Sequence, residues 1–190
     1  SSMQPQASPS SITTNRKARV MKSSWMVLGS LLLLGAQPGR EQPALTFFIT
    51  SAGSGDGANL GGIEGADVIC QKLAEAVGSK GVKWHAYLST INAKGQPEVA
   101  ARDRIGKGPW YNAKGTKVAE NVAHLHTDNN KLNKQNSLTE KGDMVNGKGD
   151  TPNQHDILTG SKLDGTPFTG EGYTNCDNFT SNSGEGSARV

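Results

Sequence analysis

The chain has 190 residues and a formal net charge of +3, but that charge is unevenly placed. Arg16, Lys17, Arg19, Lys22 and Arg40 precede Leu45 with only Glu41 against them, so the rest holds 15 basic and 16 acidic residues, a net of −1. The roughly 146 residues after position 44 suffice for one core, which argues against a second domain, and they lack the clustered Lys and Arg of a phosphate-backbone interface.

Residues 1–20 are rich in Ser, Pro, Gln and Thr and show no core-forming pattern, so they read as a disordered upstream segment. Met21-Lys22 then opens a positively charged start, followed by an apolar run over residues 25–36 and a Pro- and Gly-containing stretch to Ala44. This is the layout of a secretory signal peptide with a short linker over residues 21–44. A run of 12 residues is too short for a stable membrane span, which needs about 20. The expected location is therefore secreted or at the cell surface, periplasmic or extracellular. Two cysteines in an oxidising compartment allow one intrachain bridge, Cys70 to Cys176.

The domain begins near Leu45, where Leu45-Thr-Phe-Phe-Ile-Thr-Ser51 reads as a strand stopped by Gly53-Ser-Gly-Asp-Gly57. Ala66, Ile69, Cys70, Leu73 and Val77 recur at helical spacing, with acidic Glu64 and Asp67 at the head and Gly78 past the end. The spacing predicts a helix over residues 65–78 with Cys70 on its buried face. Lys83-Trp-His-Ala-Tyr-Leu-Ser89 alternates, predicting a strand with Trp84, Ala86 and Leu88 on one side. A short helix over 98–105, a strand entering a turn over 108–115 and a second short helix over 118–125 follow. Residues 127–154 are dominated by Asn, Asp, Lys, Thr and Gly, and a loop this long is commonly functional or mobile. Residues 181–187 read as a loop and 188–190 as the start of a strand.

Four segments carry a resemblance. Gly61-Gly-Ile-Glu-Gly-Ala-Asp-Val-Ile-Cys-Gln71, Trp84-His-Ala-Tyr-Leu-Ser-Thr90, Ile157-Leu-Thr-Gly-Ser-Lys-Leu-Asp-Gly-Thr166 and Cys176-Asp-Asn-Phe179 stand in the order of the endostatin-like branch of the C-type lectin-like fold. The domain at 45–190 resembles secreted bacterial lectin-like proteins of that branch. The resemblance implies an α+β fold: a twisted, mainly antiparallel sheet flanked by two helices, with a long irregular loop region. It places Ile157 to Thr166 and Cys176 to Phe179 on strands. It also implies that Cys70 and Cys176 belong to two different disulfides, each with a partner cysteine missing from this chain. They are then not bonded to each other, and the closing strand is expected beyond Val190.

Calcium-dependent lectins use carboxylate and amide oxygens from the long loop, which makes Asp143, Asp150, Asn153 and Asp156 the candidate calcium ligands, although the Glu-Pro-Asn and Gln-Pro-Asp signatures are absent. Trp110 and Tyr111 could offer an aromatic face to a sugar ring, with Asp150, Asn153 and Asp156 as polar contacts. The plainer account of these side chains is loop solvation and packing. His124, His126 and His155 lack zinc-ligand spacing, and Asp128-Asn-Asn130 lacks the rest of an EF-hand. No nucleophile elbow, zinc-protease motif or phosphate loop occurs, so catalysis is not expected.

The expected function is an exported, non-catalytic binding module for a surface glycan or matrix component, with calcium as the candidate co-ligand. The alternative is a protein-binding or structural surface domain using the same scaffold without sugar or metal. Neither nucleic acid nor membrane is an expected partner, and the oligomeric state is left open.

Overall fold

A computed structural model describes residues 43–170, 172 and 174–183. The segment 1–20, most of the signal segment and the strand start at 188–190 lie outside the described residues. Among the described residues no helix is long and apolar enough to cross a membrane.

The longest element is α1, Gly62–Ala76. Its inner stripe is made of small residues, with Ala66 and Ala74 buried and Cys70 half-buried, so neighbouring backbone can come close. At its C-terminus Gly78 takes φ +89°, and the amide of Ser79 returns to the carbonyl of Ala74 at 3.0 Å, the expected glycine closure. One core cluster gathers Ala66, Ala86, Leu88 and Phe179, with Leu60, Ile63, Cys70 and Leu158 around it.

A second cluster is built on a hairpin. Strands β1, Trp110–Tyr111, and β2, Lys117–Ala119, pair antiparallel with Trp110 opposite Ala119. Buried Asn112 builds the connecting turn, since its Oδ1 accepts the amides of Lys114 and Thr116, both at 3.0 Å. Trp110, Val118 and Ala119 form the centre, with Phe47, Ile105, Val122 and Leu125 packed around them. The short helices α2, Ala101–Arg104, and α3, Val122–Leu125, flank the hairpin in sequence.

Two expectations need correction here. The helix over 118–125 is divided, because Val118 and Ala119 belong to β2 and Asn121 caps α3 by accepting the amide of His124 at 2.9 Å. The expected strand at 176–179 is a helical turn, α4, Asn175–Phe179, and it is left-handed, with φ between +48° and +65° throughout. Left-handed backbone costs about 1–2 kcal/mol per L residue, so such a turn needs outside support. Asn175 donates to the carbonyl of Ser89 at 3.0 Å, and Asn178 clamps Ile91 by donating to its carbonyl at 2.9 Å and accepting its amide at 3.0 Å. Fully buried Phe179 anchors the turn in the first cluster.

The sheet of the described residues is β1–β2 alone, accompanied by isolated bridges such as Ile49 with Thr139 and Thr90 with Val99. Residues 84–88 keep the expected alternation, with Trp84, Ala86 and Leu88 buried and His85 and Tyr87 half-buried, yet they join no ladder. The polar stretch 127–154 is pinned rather than loose. Leu138 is fully buried, its carbonyl accepts the amide of Ile49 at 2.8 Å, and Asn130 and Asn133 hold local amides in side-chain turns.

Candidate binding cleft

Two extended segments, 46–50 and 82–88, line a cleft of about 770 Å³ together with the inner face of α1 and residues 157–163. Ala66, Ile69 and Cys70 contribute from the helix, and Phe48, Trp84, Leu88 and Leu158 supply much of the remaining apolar lining. Phe48 and Trp84 touch, with ring centroids 4.7 Å apart. Lys83 and Lys162 are the charged side chains on the cleft, which has no carboxylate in its lining.

A half-buried ionic cluster fixes the wall at 84–88. Arg104 binds Asp67 through both carboxylate oxygens, at 3.1 and 2.8 Å, and Asp67 Oδ1 also accepts the amide of Ala86 at 2.7 Å. His85 Nδ1 lies 3.1 Å from Asp67 Oδ2, and Arg104 also donates to the carbonyl of Ala86. Burial alone would raise the Asp67 pKa. The hydrogen bonds from Arg104, Ala86 and His85 outweigh it and hold the carboxyl below its ordinary value. Helix, wall and α2 thus meet in one charge-assisted junction.

At the other end Tyr87 donates to His126 Nε2 at 2.8 Å, while His126 Nδ1 lies 2.7 Å from the carbonyl of Val122. The carbonyl can only accept, so Nδ1 carries the proton and Nε2 receives the tyrosine hydroxyl when the ring is neutral. Burial, helped by Asp164, pushes the Tyr87 phenol up to about 12. Burial and the charge of Asp67 push Cys70 up to about 11, so its thiol stays protonated near neutrality and is a poor nucleophile. The cleft therefore offers apolar contact and hydrogen bonding, not an activated thiolate.

The residues singled out in the sequence do not assemble into one site. Trp110 contributes to the cleft wall, but it is 7% exposed and packed into the second cluster, in line with a packing role rather than with the candidate sugar face. The alternation of a strand explains this: Trp110 turns inward and Tyr111 outward, half-buried, with Lys117 Nζ 5.7 Å from its ring centre. Asp143 is exposed. Asp150 pairs with Lys134 and accepts the amide of Gly147 at 2.7 Å, and those bonds lower its pKa. Asn153 accepts the amide of His155 at 3.3 Å, and Asp156 pairs with the His155 ring at 2.6 Å. Among the described residues no three of His, Cys, Asp and Glu come together as a metal site. Cys70, half-buried, and Cys176, buried, are both free thiols. Sequence reasoning missed the pairing of Asp67 with Arg104 and the role of Asn175 and Asn178. Scarce arginine and amide-rich ends to apolar segments were the only signals.

No protein-family model matches the chain, and no curated protein matches it.

Proposed function

We propose that this is an exported, non-catalytic binding domain of C-type lectin-like, endostatin-type architecture, and that its ligand is a polypeptide seated in the apolar cleft. The observation carrying this reading is the cleft itself: about 770 Å³, lined mainly by aliphatic and aromatic side chains, with two lysines as its charged groups. Such a lining suits apolar side chains better than sugar hydroxyls, which need dense polar partners. Glycan recognition with calcium is the second reading. It is supported by half-buried Tyr111 and by the exposed oxygens of Asn153 and Asp156 on the polar loop.

Two probes separate these readings on the full chain. The dye 1-anilinonaphthalene-8-sulfonate, apolar and anionic, is expected to bind with one site per chain and to be weakened at least fivefold by Ile69→Lys. A glycan array read with and without calcium is expected to stay blank. Calcium-dependent glycan signal with no dye binding would reverse the assignment.

A further inference from the structure

Residues 84–91 keep a strand-like alternation interrupted by a tight turn about Tyr87, where the amide of Leu88 donates to the carbonyl of Ala86 at 3.0 Å; on either side of that turn the N–H and C=O groups of alternate residues point to opposite sides. On the even-numbered edge Trp84 donates to Gln71 Oε1 at 2.9 Å and Ala86 donates to Asp67 at 2.7 Å. Further along, Thr90 exchanges both backbone bonds with Val99. On the odd-numbered edge Ser89 donates to the carbonyl of Thr159 at 2.8 Å and accepts from Asn175. Ile91 has both its groups taken by the Asn178 amide. Side-chain amides there do the work of a neighbouring strand.

The same edge stops being satisfied at His85 and Tyr87. Neither has a backbone hydrogen bond among the described residues, and both line the cleft. Phe48 and Thr50, on the other extended segment of the lining, also lack backbone partners among the described residues. Phe48, His85 and Tyr87 are half-buried and Thr50 is exposed; N–H and C=O groups there would cost about 1–3 kcal/mol each if a ligand desolvated them without matching them. An amphiphile would fill the volume without meeting them. An extended peptide would do both, burying alternate side chains while its backbone bonds the edge.

We infer that the cleft takes an extended apolar segment of a partner polypeptide, added as a strand along His85 and Tyr87, with an acidic residue meeting Lys83 or Lys162. This rests on the cleft being the binding site and adds the mode of recognition and the charge of the partner. Charge complementarity selects the acid, since both formal charges on the lining are positive and no Asp or Glu lies there. The Asp67 carboxylate does not upset this balance, because Arg104 already binds it in a bidentate pair.

The test uses the full chain and the capped peptide Glu-Val-Thr-Val-Thr-Val-Glu, with an analogue N-methylated at alternate residues that keeps the side chains and loses the edge donors. Binding of the parent, at least tenfold weakening by N-methylation, and slowed amide exchange at His85 and Tyr87 are the expected results. Lys83→Glu with Lys162→Glu should weaken the parent at least fivefold and improve binding of a version with Lys in place of both Glu residues. Equal binding of the parent and N-methylated peptides would overturn strand addition. So would failure of both while 1-anilinonaphthalene-8-sulfonate still binds, which leaves the cleft reading intact; failure of dye and peptides together sinks both. A chain that sediments as a dimer with His85 and Tyr87 protected before any peptide is added would assign the cleft to a second copy and overturn the partner peptide.

Discussion

Asp67→Ala is expected to cost about 3 kcal/mol of stability, read as a lower urea midpoint with unchanged slope. The carboxylate joins three elements at once: α1, which carries it, the amide of Ala86 in the cleft wall, and Arg104 at the end of α2. Its side chain is 20% exposed and that of Arg104 13%, so removing the anion strands a mostly desolvated guanidinium and an unpaired amide. A fully exposed pair would contribute less than about 1 kcal/mol, and burial decides between the two. Asp67→Asn, which keeps an acceptor for Ala86 but loses the charge, should fall between wild type and Ala. The acid response follows from the direction of the Asp67 shift. Because its folded pKa lies below the ordinary 3.8, its contribution is complete above that value and is lost as pH falls through the lower folded value. Asp67→Ala should therefore flatten part of the stability loss below about pH 4. Equal slopes for variant and wild type in that range would show that the carboxyl is not held by these bonds.

Gly65→Ala is expected to destabilise by about 2 kcal/mol even though Gly65 lies inside a helix, where alanine ordinarily gains about 1 kcal/mol. A Cβ at position 65 would stand 2.1 Å from the carbonyl oxygen of Leu60 and 3.0 Å from its carbon. Both are backbone atoms, so no side-chain rotation relieves the overlap. Leu60 is itself tied by its amide to the carbonyl of Phe179 at 2.8 Å, which couples any shift to the left-handed turn. Overpacking of about 3 kcal/mol then outweighs the helical gain. A rise in thermal midpoint for this variant would mean that the chain reverses ahead of α1 by another path.

Much of the framework was legible because it depends on local periodicity. The small-residue stripe and Gly78 located α1 to within a few residues, and alternation correctly sorted Trp84, Ala86 and Leu88 from His85 and Tyr87. Alternation reports burial, however, and not backbone partners, so residues 84–88 looked like a paired strand although His85 and Tyr87 lack partners among the described residues. Val118, Val122 and Leu125 satisfied helical spacing while lying on two elements, because Asn121 between them caps the helix and a period of three or four cannot see that stop. Trp110 and Tyr111 were not sorted into inner and outer positions for a related reason. A strand of two residues is too short for a pattern to tell its inner from its outer side. The left-handed turn at 175–179 was hidden more deeply, since it depends on Asn175 and Asn178 reaching residues 86 and 87 positions earlier in the chain. The amide-rich end of that segment is the one local sign of such pairings, and it does not name the partners.

Residue-resolved amide exchange on the free, full-length chain tests the half-open edge most directly. The amides of Ala86, Ser89 and Ile91, held by Asp67, Thr159 and Asn178, should exchange slowly, while those of His85 and Tyr87 on the same extended segment should exchange at least a hundredfold faster. Comparable protection at all five positions would show that the edge is already paired, and the cleft would then have no backbone to offer a strand.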